Sequence, residues 1–132
     1  MEIIGRVISK GHARGEVLLS REPLSFLGNV NPKTGIVVEK GHPLEGKSLA
    51  GKVLVFPRGK GSTVGSYVIL EMKQNGVAPV AIIKQEAETI IAVGAIISEI
   101  PMLDKLDVDV FSILKDGDLV EVDANKGILR VK

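Results

Sequence analysis

Residues 53–66 read VLVFPRGKGSTVGS, and the rest of the chain is organised around them. VLVF (53–56) is a branched apolar run of strand length. Pro57 ends it. A loop with Gly59, Gly61 and Gly65 follows, and Ser62 and Thr63 stand before VGSYVILEMKQN, which predicts a helix closed by Gly76. Strand, glycine loop and hydroxyls at a helix start bring two cations, Arg58 and Lys60, and two hydroxyls around one point.

Working outward, the next apolar run is VAPVAIIKQ (77–85), read as a buried strand with Pro79 near its start. Strand, helix, strand predicts a right-handed parallel crossover. Upstream, EIIGRVIS (2–9) and EVLLS (16–20) read as strands, with a turn around His12 and Arg14 bracketed by Gly11 and Gly15. REPLSFLGNVNPKTG (21–35) is long for a connection, and Leu24, Phe26 and Leu27 give it apolar anchors, so an ordered loop is expected. GIVVE (35–39) reads as a third strand and 40–52 as a glycine-punctuated turn. His42 precedes a proline there, and a structural or solvated role is the plainer reading. Downstream, 86–103 is apolar but interrupted by Gly94 and Pro101, which predicts a short helix over 86–92 and a strand near 95–98. DGDLVEVD, NKG and ILRV predict a terminal hairpin in which Asn125 and Gly127 supply positive φ. The sum is one α+β domain over residues 1–132, with a mixed sheet and one main helix after the glycine loop.

Composition narrows the function. Of 132 residues, 45% are hydrophobic and only 3% aromatic, so the core is aliphatic and stacking platforms for single-stranded nucleic acid are lacking. Net charge is +1 with signs interspersed, which argues against a nucleic-acid surface. There is no cysteine, which excludes a disulfide scaffold, a cysteine nucleophile and thiolate ligation of iron–sulfur by this chain. No signal-like N-terminus or membrane-length apolar run is present, so a cytoplasmic protein is expected.

The loop is not a nucleotide loop. A P-loop needs a glycine five residues before Gly59, where Leu54 stands, and a hydroxyl after Lys60, where Gly61 stands. Gly59, Gly61 and Gly65 also miss the Rossmann spacing. Two readings of Ser62 remain. Either it caps the helix, contributing about 1 kcal/mol, or it acts as a base, its charged form favoured by helix N–H groups and by Arg58 or Lys60. A serine base needs an electrophile, and no such group is evident in this chain.

PRGKGSTVGSYVILEMKQNGVAPVAII, PLSFLGNVNPKTG and GHPLEGKSLAGKVLVFP together resemble the small subunit of the aconitase X family, in its archaeal form, over nearly the whole chain. The resemblance implies a swivelling β/β/α domain that carries the serine base into a site whose [4Fe-4S] cluster lies on a large partner subunit. Ser62 matches the family's proton acceptor. The implied reaction removes water from (R)-5-phosphomevalonate to give trans-anhydromevalonate 5-phosphate, in archaeal isoprenoid synthesis. Arg58 and Lys60 are then candidates to hold carboxylate or phosphate, by charge and position, and Gly61 and Thr63 to offer backbone N–H groups. Some relatives act on hydroxyproline-type substrates, which leaves an alternative within the family.

Two further readings compete. DGDLVEVDANKGILRV also resembles the end of phosphohistidine swivelling domains, which need a histidine directly after the serine. Here Val64 and Gly65 follow Ser62-Thr63, and His12 and His42 lie far upstream. A non-catalytic interaction module with a capped helix is the third reading.

Overall fold

The computed structural model describes residues 1–57 and 65–132. Its sheet contains β1 (Glu2–Ile4), β2 (Arg6–Ser9), β3 (His12–Leu19), β4 (Val53–Phe56), β5 (Ala81–Lys84), β6 (Met102–Asp104), β7 (Leu119–Asp123) and β8 (Ile128–Val131). The order is β1-β8-β7-β3-β4-β5-β6-β2. The central strands β3, β4, β5 and β6 run parallel. The flanking pairs are antiparallel. Helices α1 (Gly65–Gln74), α2 (Thr89–Ile97) and the short α3 (Val110–Ile113) complete the fold.

β1 and β2 are consecutive in the chain yet sit at opposite ends of the strand order. One N-terminal segment therefore pairs with β8 through its first half and with β6 through its second, curling the sheet onto itself. Gly5 is the crossover. Its N–H donates to Gly127 O at 2.9 Å, and a Cβ there would lie 3.0 Å from Asp104 O and 2.7 Å from Leu106 Cδ1.

Period-two alternation sorts the central strands between two cores. Val53 and Val55 join Ala81, Ile83 and Leu103 in one. Leu54, Phe56 and Ile82 join α1, α2 and the 24–49 region in the other. Burial on both faces explains why these strands read as unbroken apolar runs.

The crossover through α1 joins the parallel neighbours β4 and β5, as expected. The hairpin of β7 and β8 is present, and Gly127 supplies positive φ (75°), whereas Asn125 does not. The 21–35 loop is ordered through buried Leu24, Phe26 and Val30, although Leu27 is exposed.

Four expectations are corrected. The turn expected around His12 and Arg14 is instead the start of β3, which opens at His12 and runs unbroken through Gly15. Gly15 is there for space, since a Cβ would come 3.0 Å from Gly51 O. Residues 35–39 form only isolated bridges, Val30 to Val37 and Ile36 to Ser48, because Gly35 and Gly41 turn the chain at either end. The 86–103 stretch is a nine-residue helix through Gly94 followed by β6, rather than a short helix and a strand at 95–98. Among the described residues, helix α2 thus matches α1 in scale, so α1 is not a single main helix.

Candidate active site at the carboxyl ends of the parallel strands

In open parallel sheets, ligands bind where the strands end. Here those ends are Leu19, Phe56, Lys84 and Asp104. The glycine loop leaves this edge, departing after Pro57 and re-entering at Gly65, the first residue of α1. Arg58, Lys60, Gly61, Ser62 and Thr63, the residues singled out from the sequence, lie outside the described residues. The frame around them is described.

Phe56 is the hub of that frame. Phe26 meets it edge-on at 6.2 Å between centroids, tying the 21–35 loop to the end of β4. Lys84 pairs with Phe56 across the β4–β5 ladder, and its Nζ lies 4.5 Å from the ring centroid. The Lys84 side chain is fully buried and ion-paired with Glu88. Burial pushes the Lys84 pKa down, against the opposing pull of Glu88 and Asp104.

Asp104 braces the next strand end. Its side chain is fully buried and accepts a two-pronged bond from Arg6, Nε at 2.8 Å and the terminal amino group at 2.7 Å. It also accepts from Ala87 N–H at 2.8 Å. Burial would raise its pKa, yet the Arg6 and Ala87 bonds and the charges of Arg6 and Lys105 together hold it below the usual carboxylate value. Lys105 follows with φ of 49°, and its N–H bonds Gln85 O at 2.9 Å, so the ends of β5 and β6 are locked together.

Behind the loop, α1 and α2 pack closely. A Cβ on Gly94 would lie 3.0 Å from Ser66 Cα and 2.8 Å from Ile69 Cδ1. The glycine that looked like a helix breaker instead lets α2 approach the first turn of α1, directly after the loop.

Among the described residues, two clefts open along this edge. One of about 320 Å³ is lined by Lys84, Gln85, Asp107 and Asp109, among others. One of about 240 Å³ is lined by Arg21, Pro57, Gln85, Asp109 and Phe111. Neither histidine joins them. His42 is buried and structural: one ring nitrogen meets Pro23 O at 3.0 Å and the other accepts from Leu44 N–H. His12 opens β3, roughly 23 Å of strand from Leu19 at the other end, and meets Glu121 at 2.6 Å. Among the described residues no group of three or more His, Asp or Glu could hold a metal. With no cysteine in the chain, its own residues offer no thiolate ligands for a cluster. No helix among them is long and apolar enough to cross a membrane.

The family model for the aconitase X swivel domain matches residues 2–131. The chain belongs to the aconitase X swivel-domain family. A Methanosarcina acetivorans protein named phosphomevalonate dehydratase small subunit is 60% identical over 131 residues, covering 99% of this chain and 91% of that one. A Thermococcus kodakarensis protein of the same name is 59% identical over 131 residues, covering 99% and 96%. The crystal structure of Thermococcus kodakaraensis aconitase X in its holo form superposes with a TM-score of 0.94 at 57% identity, covering 100% of this chain and 98% of that chain. The swivel domain's mixed α+β sheet is therefore the family's fold.

Sequence reasoning missed Lys84, Asp104 and Arg21. Each is the first charged residue after a buried apolar run, and that signal was available.

Proposed function

We propose that this chain is the small subunit of a two-subunit hydro-lyase that dehydrates (R)-5-phosphomevalonate to trans-anhydromevalonate 5-phosphate. The observation that carries the reading is the likeness, over nearly the full length of both chains, to proteins named phosphomevalonate dehydratase small subunit. In this reading Ser62 takes a proton from the carbon next to the carboxylate, and a carbon–carbon double bond forms as the neighbouring C–O bond breaks. The departing hydroxide gains a proton to leave as water, so that the proton taken from carbon and the one given to oxygen balance over the cycle. The departing hydroxyl needs an electrophile that this chain's residues do not offer. A [4Fe-4S] cluster held by the large subunit would supply Lewis-acid assistance there.

The chain's own contribution is positional. Phe56, pinned by Phe26 and Lys84, fixes one end of the loop, and the Gly94 contact fixes the other. Arg58 and Lys60 offer charge for carboxylate or phosphate, and Gly61 and Thr63 offer backbone N–H groups. Exposed Val93, Ile96 and Ile97 on α2 fit a chain that works in an assembly. The phosphohistidine reading lacks a histidine after Ser62-Thr63, and neither histidine lines the clefts at the strand ends.

The deciding experiment is Ser62→Ala, assembled with the large subunit and assayed on phosphomevalonate and hydroxyproline side by side. Turnover of phosphomevalonate should fall by roughly 100-fold or more, with the complex intact. A loss of only a few-fold would reduce Ser62 to a helix cap.

A further inference from the structure

The carboxyl end of β3 carries a cation to which the reaction above gives no role. Arg21 follows Ser20, whose buried turn is tightly held. Ser20 N–H donates to Val55 O at 2.9 Å. Its hydroxyl donates to Glu22 O at 2.8 Å and accepts from Glu22 N–H at 3.1 Å. The backbone that launches Arg21 is thus fixed against the end of β4.

Arg6, Arg14 and Arg130 each meet a carboxylate. Arg21 is held differently: one terminal amino group donates to the backbone carbonyl of Phe111 at 2.6 Å. A neutral carbonyl orients the guanidinium without cancelling its charge. A guanidinium has five N–H donors, so one bond leaves most of the fork available. The side chain is exposed and lines the 240 Å³ cleft together with Pro57, the last described residue before the loop that carries Ser62.

We propose that Arg21 is a specificity residue that binds the substrate's phosphate at the mouth of the site, selecting phosphorylated over unphosphorylated hydroxy acids. The proposal rests on the dehydratase reading for its substrate, and on the cleft for its place. A planar guanidinium fork matches phosphate oxygens two at a time. Gln85, exposed in the same cleft, adds a neutral side-chain donor. Asp109 also lines it, with one carboxylate oxygen accepting from Phe111 N–H at 3.0 Å. Its charge opposes a dianion and therefore sets how tightly phosphate is held.

The test uses the assembled complex with Arg21→Ala, Arg21→Lys and Asp109→Asn. KM and kcat are measured on phosphomevalonate, and inorganic phosphate binding is measured separately by calorimetry. Losing a charge-assisted pair predicts a rise in KM of roughly 10- to 100-fold for Arg21→Ala, with kcat nearly unchanged and phosphate binding weakened in parallel. Arg21→Lys recovers part of the loss, because it keeps the charge without the fork. Asp109→Asn keeps a capping side chain and should tighten phosphate binding. Thermal melts of each complex show that the fold is retained.

An unchanged KM in Arg21→Ala overturns the proposal, as does a fall in kcat with phosphate binding intact, which would make Arg21 only a brace for Phe111. Unaltered phosphate binding in Asp109→Asn overturns the location. If the wild type binds phosphate through Arg21 but does not dehydrate phosphomevalonate, the substrate reading fails and the subsite stands. The converse result spares the reading and removes the subsite.

Discussion

The ammonium of Lys84 lies 4.5 Å from the centroid of the Phe56 ring, on the paired last residues of β4 and β5. A cation over an aromatic face is worth up to about 2 kcal/mol when desolvated, and here it also meets Glu88. The contact fixes the residue from which the glycine loop departs.

Lys84 should therefore leave a signature at alkaline pH. Burial lowers its folded pKa, so between the folded value and the unfolded value of about 10.4 the unfolded chain binds more protons, and stability rises with pH. Lys84→Met removes the titration. Denaturant unfolding from pH 7 to 10.5 should show a flatter profile for the variant, with little change at pH 7, because an apolar replacement avoids the desolvation cost. Parallel profiles would show that Lys84 is not the group responsible.

Asp104 predicts the opposite limb. Its folded pKa is lowered, so its contribution is complete above the ordinary carboxylate value of about 3.9 and is lost as pH falls through the lower folded value. Asp104→Asn should cost about 2–3 kcal/mol at neutral pH by weakening the bonds from Arg6 and Ala87. Its stability should then decline less steeply below pH 4. Unfolding free energies measured from pH 7 to 2 decide this, and an acid slope equal to the wild type would sink the assignment.

Gly94 tests the frame behind the loop. In an ordinary helix Gly→Ala gains roughly 1 kcal/mol. Here the new methyl would press on Ser66 Cα at 3.0 Å, and overpacking costs about 1–3 kcal/mol. Gly94→Ala should lower the melting temperature. In the assembled complex it should reduce kcat more than it raises KM, because α1 shifts at its first turn. A higher melting temperature would mean that the helices part without strain.

Much of this was legible in the sequence. VLVF and AIIK declared themselves because a strand buried on both faces has no polar alternation to blur it. The GKGST loop and the family resemblance it anchors came from the same stretch. Other elements depended on tertiary contacts. Gly15 and Gly94 looked like breaks because glycine usually is one, whereas here each makes room for a neighbouring backbone. The 35–39 segment had strand composition, but glycines on either side let it form only bridges. At the site, the central strands share a pattern of apolar residues ending in charge: LLSR, VFPR, AIIK and MLD. Taken singly these look like ordinary strand ends. Only the parallel order of β3 to β6 brings Arg21, Lys84 and Asp104 to one edge beside Pro57.

The N-terminal segment that spans both ends of the strand order governs when the sheet can close during folding. Glu2, Ile3 and Ile4 find their ladder partners in Arg130, Leu129 and Ile128. Residues 2–4 cannot pair until residues 128–130, far along the chain, have come back to them. Pairing across so long a sequence separation is slow, so closure of the sheet is a late event in folding. Until then β6 and β8 each present an open edge. Encounter with another subunit before closure would meet an unfinished surface, and productive assembly is deferred until the sheet has closed.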